Sequence, residues 1–123
     1  RERETEVIDE LTRSGPCVLS TGGGAILAPV NRERLRDRGI VVYLRTSVAV
    51  QASRVRSGRN RPLLAGVDAA VKLAQLMETR APLYESCAHL VVATDNRRVR
   101  SVADEIVRRL AALDASPAAA SVD

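Results

Sequence analysis

The sequence is poor in aromatic residues, histidine and cysteine. Trp and Phe are absent, the only tyrosines are Tyr43 and Tyr84, and there is one His. So few rings exclude a stacking platform for single-stranded nucleic acid, and a single His excludes a metal site built from several His ligands. Cys17 and Cys87 are too few for a disulfide framework or a metal cluster, so we expect two buried or partly buried thiols in a reducing cytoplasm.

Long apolar runs are also lacking. No run approaches the ~18 residues that a membrane span needs, and no charged-then-apolar leader opens the chain. We therefore predict neither membrane insertion nor secretion. With 123 residues, of which 46% are hydrophobic and 28% charged, the chain has the composition of one globular domain.

Lysine is nearly absent, although the chain is basic. Of its nineteen basic residues only Lys72 is a lysine, and the formal net charge is +4. Arginine makes planar, two-pronged contacts with carboxylates and phosphates, but a GC-rich genome also raises its frequency. Because the arginines are scattered over helices and loops without interleaved aromatic residues, we expect no nucleic-acid partner. Steep salt-dependent DNA binding would revive that alternative.

Apolar periodicity predicts three short strands that alternate with about five helices. The expected strands are Cys17–Ser20, Ile40–Leu44 and His89–Ala93, the second of them buried on both faces. We expect a first helix that ends at Gly15-Pro16 and a second from an Asn31 cap to Arg38. A third helix should follow a Ser47 cap, and a fourth should run from Asp68 to a bend or break at Pro82. The last helix should follow a capping box formed by Ser101 and Asp104. Such alternation is typical of a parallel sheet with right-handed crossovers.

Two features suggest that part of the domain is absent from this sequence. The chain opens with Arg1 in a sequence that is already helical in character, without a preceding cap. Three strands are also few for five helices, since a parallel sheet needs both of its faces covered.

Three consecutive glycines follow the first predicted strand. Ligands of open α/β sheets bind beyond the carboxyl ends of strands, and Gly22, Gly23 and Gly24 leave a backbone whose N–H groups a ligand can touch directly. The alternative is a flexible turn without a ligand.

Arginines supply the other candidate contacts. Arg80 stands on the apolar stripe of its helix, where a buried guanidinium needs an anionic partner; the alternative is a side chain that reaches water or a structural carboxylate. Arg59 and Arg61 lie in the predicted loop 57–67, which could close over a transferring phosphoryl group, or be only a solvated basic loop. Arg97 and Arg98 follow the third strand, where they could contact a nucleotide base or nothing.

Taken in order, these segments resemble the shikimate kinase family over residues 1 to 111. The segments that carry the resemblance are Arg1 with Glu4, Thr21-Gly22-Gly23-Gly24-Ala25, Val41-Val42-Tyr43-Leu44, Arg61-Pro62-Leu63-Leu64, Arg80-Ala81-Pro82-Leu83-Tyr84 and Ala103-Asp104-Glu105-Ile106. They correspond to roughly the last two-thirds of that family's domain. The resemblance implies an α/β, three-layer P-loop kinase fold of the nucleoside-monophosphate-kinase type, with a parallel sheet, from which the N-terminal strands and the P-loop are missing.

The resemblance also implies a reaction and a set of site residues. Shikimate kinases transfer the γ-phosphoryl group of ATP, with Mg²⁺, to the 3-hydroxyl of shikimate on the pathway to chorismate and the aromatic amino acids. By position, Arg1 and Arg80 match the arginines that bind the shikimate carboxylate. Glu4 matches the acid that orients that region. The glycine segment of the pocket is matched by Gly22, Gly23 and Gly24. The segment 57–67 matches the lid, with Arg61 reaching the ATP phosphates. Arg54 and Arg97 match positions on the adenine side of the ATP site.

Two further expectations concern the chain as a whole. Residues 112–123 are expected to be a disordered tail, and the protein is expected to be a monomer.

The sequence departs from the family at the phosphate-binding loop. It contains no Gly-x-x-x-x-Gly-Lys-Ser/Thr motif, and the family's Mg²⁺ ligands and early aspartate lie in segments that this chain does not match. We therefore expect the chain alone to be inactive and the full-length parent to be active. In this family the P-loop strand lies between the strands at Cys17 and Ile40, so we also expect a gap or collapse there, and poor stability.

Two other functions remain open at this stage. One is another small-molecule P-loop kinase, such as a gluconate kinase. The other is a shikimate-kinase-like regulatory module that binds its ligand without catalysis.

Overall fold

The computed structural model describes residues 1–56 and 67–115 as five α-helices, one 3₁₀ helix and two strands. In chain order these are α1 (Glu2–Arg13), the 3₁₀ helix Gly23–Leu27, α2 (Pro29–Arg38), β1 (Val42–Arg45), α3 (Val48–Arg56), α4 (Val67–Cys87), β2 (Leu90–Ala93) and α5 (Val99–Ala115). None of the described helices is long and apolar enough to cross a bilayer. The predicted loop 57–67 falls outside the described residues except for Val67, which begins α4.

The two strands form a parallel sheet. β1 and β2 pair with Val42 opposite Leu90 and Arg45 opposite Ala93. Parallel pairing agrees with the prediction from the alternation of strands and helices. β2 is the better buried strand, with Val92 fully enclosed. β1 was predicted to be buried on both faces, and that prediction was wrong: Leu44 is 51% exposed, because only one strand pairs with β1 in the described part of the chain.

The third predicted strand does not form. Residues 17–20 follow α1 without joining a ladder, and Val18 is fully exposed. Cys17 was expected to be at least partly buried, and that prediction was wrong for the same reason: it is exposed, whereas Cys87 is buried. A segment becomes a strand only when a neighbour satisfies its backbone N–H and C=O groups. An apolar run such as Cys17–Ser20 indicates a capacity to pair and does not by itself supply that neighbour. Since Val18 is wholly exposed, this segment has not collapsed onto β1.

α1 packs on α2, and an ionic cluster around Asp9 fastens the two helices together. The Asp9 carboxylate forms ion pairs with Arg13 on its own helix and with Arg38 and Arg34 on α2, the latter two at 2.7 and 3.5 Å. The hydrogen bond from Arg38 is the main cause that lowers the pKa of Asp9, and Arg13 and Arg34 act in the same direction. The cluster therefore holds the start of the chain against α2.

The beginning of α2 differs from the prediction. Asn31 was expected to cap the helix, but α2 starts at Pro29 with Ala28 as its cap, and Asn31 is 1% exposed inside the protein. Proline favours the first helical position because its φ angle is already helical and its missing N–H would be unpaired there. Pro29 therefore moves the start of α2 three residues earlier, from an Asn31 cap to an Ala28 cap, and Gly39 follows the helix as expected.

α4 is a single helix of 21 residues that continues through Pro82. A break or bend was expected, because an internal proline removes one helical hydrogen bond at a cost of about 3 kcal/mol. Packing on both sides compensates here, since α3 and the 3₁₀ helix both contact α4. The uninterrupted helix keeps Arg80 and Tyr84 on one face, one turn apart.

α5 packs on β2 and is longer than predicted at both ends. It begins at Val99, before the expected Ser101 cap, and continues to Ala115, so residues 112–115 are helical where a disordered tail was expected. Residues 116–123 lie beyond the described part of the chain. Val102 is buried against the sheet, and Arg109 donates to the carbonyl oxygen of Val91 at 2.6 Å, which fixes α5 along β2.

Candidate functional site

The glycine turn, which we define as residues 22–27, is the centre of the candidate site. Gly22 is in extended conformation and precedes the 3₁₀ helix Gly23–Leu27. The amide of Ala25 donates to the carbonyl of Gly22 at 3.2 Å and closes the turn. Gly24, Ala25 and Ile26 are buried, whereas Gly22 and Gly23 are at the surface. One side of the turn is therefore fixed in the core while the other is accessible.

Side chains from two distant segments approach Gly23 and Gly24 so closely that a side chain on either glycine would displace them. A Cβ atom on Gly24 would collide with the guanidinium of Arg1. A Cβ atom on Gly23 would lie 2.9 Å from the hydroxyl of Tyr84 and 3.4 Å from Nη1 of Arg80. Close approach of Arg1, Arg80 and Tyr84 therefore accounts for Gly23 and Gly24, whereas a Cβ atom on Gly22 would make only an ordinary contact with Glu4.

Arg1 and Glu4 form an ion pair on the first turn of α1. Nη1 of Arg1 lies 3.0 Å from Oε1 of Glu4, and the Arg1 side chain remains 64% exposed. Oε2 of Glu4 is also close to the turn, 3.6 Å from a Cβ position on Gly22. The Glu4 carboxylate thus holds the Arg1 guanidinium beside the glycines, and the role that the family resemblance implies for Glu4 stays a prediction.

Arg80 approaches the same turn from the middle of α4. Its side chain is half-buried, and its Nε atom is buried without a hydrogen-bond partner within the described residues. A buried N–H group without an acceptor is unfavourable. The arrangement is therefore suited to an acceptor, and a carboxylate would satisfy both the charge and the forked donor geometry of a guanidinium.

The structure brings together the residues assigned to the substrate. Arg1, Gly22, Gly23, Gly24 and Arg80 meet around one turn. Their predicted roles in binding are not tested by this proximity and stay predictions.

The predicted ATP residues are found in three different situations. Arg61 lies outside the described residues. Arg54 is exposed on α3. Arg97 is half-buried, and it donates to the carbonyl of Ala93 at 2.9 Å and to Oε1 of Glu105 at 2.6 Å. Because of these hydrogen bonds, Arg97 lowers the pKa of Glu105 and helps to hold the start of α5. A contact of Arg97 with adenine stays a prediction.

The carboxyl ends of β1 and β2 form a second polar area next to an open cavity of about 420 Å³. The hydroxyls of Thr46 and Thr94 are 2.7 Å apart. The carboxylate of Asp95 accepts the backbone N–H of Ser47 at 3.0 Å, and the hydroxyl of Ser47 accepts that of Val50 at 3.2 Å. The hydrogen bond from Ser47 lowers the pKa of Asp95. These bonds fix the start of α3 to the turn that follows β2.

Sequence analysis missed Tyr84 and Asp95 as parts of these sites. A signal for Tyr84 was present, since it lies four residues after Arg80 and must share its helix face. Asp95 carries no such signal, because its contact with Ser47 depends on how the two strands pair. No group of three or more His, Cys, Asp or Glu suited to hold a metal ion occurs among the residues described.

Comparison with known proteins identifies the family. Residues 1–111 match the family model for shikimate kinase. The shikimate kinase of Halorhodospira halophila is 50% identical over 110 residues, which are 89% of this chain and 62% of that protein. The shikimate kinase of Pseudomonas syringae is 47% identical over 113 residues, 92% of this chain and 66% of that protein.

Solved structures agree with the sequence comparison. A shikimate kinase from Acinetobacter baumannii in complex with shikimate superposes with a TM-score of 0.80 at 43% identity, over 90% of this chain and 62% of that one. A shikimate kinase from Bacteroides thetaiotaomicron superposes with a TM-score of 0.72 at 29% identity, over 94% of this chain and 67% of that one. This chain thus spans about three-fifths to two-thirds of these relatives. The likeness confirms the predicted P-loop kinase fold with a parallel sheet, and the chain belongs to the shikimate kinase family.

Proposed function

We propose that this chain forms the carboxylate-binding and lid-bearing part of an enzyme that phosphorylates the 3-hydroxyl of shikimate with ATP. The observation that carries the proposal is the meeting of Arg1 and Arg80 at one glycine turn. Two guanidinium groups from separate helices are an arrangement suited to one carboxylate. The relative from Acinetobacter baumannii, whose structure is a complex with shikimate, supports this choice of acid.

In the proposed mechanism, this part of the protein binds and orients the acceptor. Arg1 and Arg80 bind the carboxylate, and Gly23, which has no side chain, lets the ring approach the backbone. Holding the substrate in this way makes the reaction effectively unimolecular, which is a large part of catalysis by positioning. Arg61, in the proposed lid 57–67, would neutralise charge on the transferring phosphoryl group.

ATP is proposed as the phosphoryl donor, with Arg54 and Arg97 on the adenine side. The residues described here do not fit a Mg²⁺ site, since they contain no cluster of three carboxylate, His or Cys ligands, and the sequence has no phosphate-binding glycine–lysine motif. We therefore derive no step through Mg²⁺, and propose that its ligands do not come from the described residues.

The proposal extends to domain organisation and surroundings. We propose a partial kinase domain over residues 1–111 and a monomer that works in the cytoplasm on a small-molecule substrate, with neither nucleic acid nor membrane as partner. Free Cys17 and Cys87 are consistent with a reducing compartment.

The test is phosphoryl transfer by the protein expressed from the complete reading frame that encodes this chain. ADP release should depend on both ATP and shikimate, and the product should be shikimate 3-phosphate by mass and ³¹P NMR. Gluconate in place of shikimate should give no turnover; turnover with gluconate alone would assign the protein to another kinase. Binding of shikimate without ADP release would instead indicate a regulatory module. A protein that shows no shikimate binding and no turnover would exclude the proposal.

A further inference from the structure

The glycine turn is held by donors that neighbouring side chains direct at its carbonyl oxygens. The hydroxyl of Tyr84 donates to the carbonyl of Gly23 at 2.7 Å. The amide of Asn31 donates to the carbonyl of Ala25 at 3.1 Å, and Arg32 donates to that of Ile26 at 2.7 Å. These donors come from α4 and α2, two helices that both contact the turn.

Such support is needed because the turn cannot fix itself. Its first three residues have no side chains that could pack, and glycine loses more conformational freedom on ordering than any other residue. A 3₁₀ helix of five residues also leaves its last carbonyl groups without internal partners. Donors from α2 satisfy the carbonyl groups of Ala25 and Ile26, toward the end of the turn, and the Tyr84 hydroxyl from α4 adds a hydrogen bond to Gly23 near its start. Together these bonds fix where the glycines lie.

Tyr84 couples the turn to the helix that carries Arg80. Both residues approach Gly23, where a Cβ atom would be 2.9 Å from the Tyr84 hydroxyl and 3.4 Å from Nη1 of Arg80. The ring of Tyr84 is itself held against Tyr43, with ring centroids 5.0 Å apart. Tyr84 therefore sets the distance between the glycine backbone and the guanidinium of Arg80.

Asn31 couples the turn to α2 from inside the protein. The residue is 1% exposed, so its amide bond to Ala25 is shielded from water. Its Oδ1 atom has no partner among the described residues. A buried polar side chain with an unsatisfied acceptor destabilises a fold relative to an apolar residue. The bond to the buried Ala25 carbonyl offsets this cost, because an apolar residue at position 31 would leave that carbonyl without its donor.

We propose that Tyr84 and Asn31 are positioning residues that hold the glycine turn at the distance from Arg1 and Arg80 at which one carboxylic acid substrate binds. The substrate assignment rests on the proposed function. Neither residue needs to touch the substrate, because each acts through a carbonyl group of the turn.

The sharpest test is Tyr84→Phe, which removes one oxygen atom and keeps the ring. In the protein from the complete reading frame, the KM for shikimate should rise about two- to tenfold, as expected for one hydrogen bond, while the KM for ATP and the kcat stay near the wild-type values. The matched control is Tyr43→Phe, which removes the hydroxyl of the neighbouring ring; in the described residues that hydroxyl makes no hydrogen bond to the turn. It should leave both KM values unchanged.

Asn31→Asp tests the second anchor, because aspartate has the same shape and no amide donor for the Ala25 carbonyl. The KM for shikimate should rise again without a change in the KM for ATP. Asn31→Gln, which restores an amide donor on a longer side chain, should recover part of the affinity. Should both Asn31 variants fail to fold, Tyr84→Phe decides alone.

A second measurement separates this inference from the proposed function. Selective ¹⁵N-glycine labelling limits the amide signals to those of glycines, of which this chain contributes seven. Tyr84→Phe should shift or broaden the Gly23 and Gly24 signals, and Tyr43→Phe should not. If the wild type neither binds nor phosphorylates shikimate while these signals move, the substrate assignment fails and the positioning role stands. Unmoved glycine signals, or an active Tyr84→Phe protein with an unchanged KM for shikimate, would overturn the inference.

Discussion

The guanidinium group of Arg1 occupies the space into which a side chain on Gly24 would project. Arg1 is at the start of α1 and Gly24 is in the glycine turn, so the contact joins two segments that are far apart in sequence. The Arg1 side chain is long and 64% exposed, and can move away at little cost to folding. The absence of a side chain at Gly24 therefore determines where the Arg1 charge lies, and has little effect on the stability of the fold.

Gly24→Ala should consequently weaken binding without unfolding the protein. The added methyl group displaces the Arg1 guanidinium, and losing one charged donor to a carboxylate weakens affinity on the order of tenfold or more. Titration calorimetry with shikimate and a thermal unfolding curve measure the two effects. Gly39→Ala is the matched control, because its Cβ would be 3.7 Å from the nearest atom, the Leu35 carbonyl oxygen. Equal shikimate affinities in wild type and Gly24→Ala would show that Arg1 is not a ligand.

Arg80→Ala should abolish most shikimate binding while leaving stability near that of the wild type. Removing one partner of a buried, hydrogen-bonded charge pair costs about 2–5 kcal/mol of binding energy. Before binding, the buried Nε of Arg80 has no hydrogen-bond partner among the described residues, so its removal breaks no bond there. Arg80→Lys should recover only part of the affinity, because an ammonium group lacks the fork of donors. A large loss of Tm with unchanged affinity would instead give Arg80 a structural role.

The position of Arg80 shows how far the sequence predicted the site. A charged residue on an apolar stripe was visible as an anomaly, and Gly22–Gly24 followed an apolar run, so both were recognised without coordinates. Their proximity to Arg1 followed only from the family resemblance. Tyr84 was reachable from its spacing to Arg80, but the direction of its hydroxyl toward Gly23 depends on how α4 packs against the turn.

The errors in the predicted fold have local and tertiary causes. Asn31 has the side chain of a helix cap, but Pro29 sets the start of α2 and leaves Asn31 inside the protein. The run Cys17–Ser20 has the composition of a strand, yet a strand requires a partner, which composition does not reveal. Pairing, cap competition and helix continuity through Pro82 all depend on contacts between segments that a single sequence pattern does not specify.

Asp9 should make stability dependent on pH in the acid range. Hydrogen bonds and charges from Arg38, Arg13 and Arg34 lower its pKa in the folded state. A lowered carboxyl pKa contributes stability that is fully present above the ordinary carboxyl pKa of about 3.9 and is lost as pH falls through the folded value. Asp9→Asn should therefore be less stable than the wild type at pH 7, and the difference should shrink below about pH 4.

Denaturant unfolding of both proteins across this pH range measures the effect of Asp9. Asp37→Asn, on the exposed surface of α2, provides a control with the same change in charge. A stability difference between wild type and Asp9→Asn that stays constant from pH 7 to acid conditions would contradict an ionic origin. The same difference in Asp37→Asn would mean that net charge, and not the cluster, is responsible.

Asp95→Ala should loosen the start of α3 relative to the sheet. The carboxylate accepts the N–H of Ser47 at 3.0 and 3.3 Å with its two oxygens, while the Ser47 hydroxyl accepts the N–H of Val50. Without this acceptor, the Ser47 N–H loses the bonds that tie it to the turn after β2, and the segment that leads to Arg54 becomes freer to move. The backbone amides of Ser47 and Val50 should exchange with deuterium faster in Asp95→Ala, whereas those of β2 should not.

The control variant for this prediction is Asp95→Asn, which keeps an acceptor oxygen and should restore most of the protection. Exchange at Ser47 that is as slow in Asp95→Ala as in the wild type would mean that strand pairing alone holds α3, and that Asp95 is dispensable.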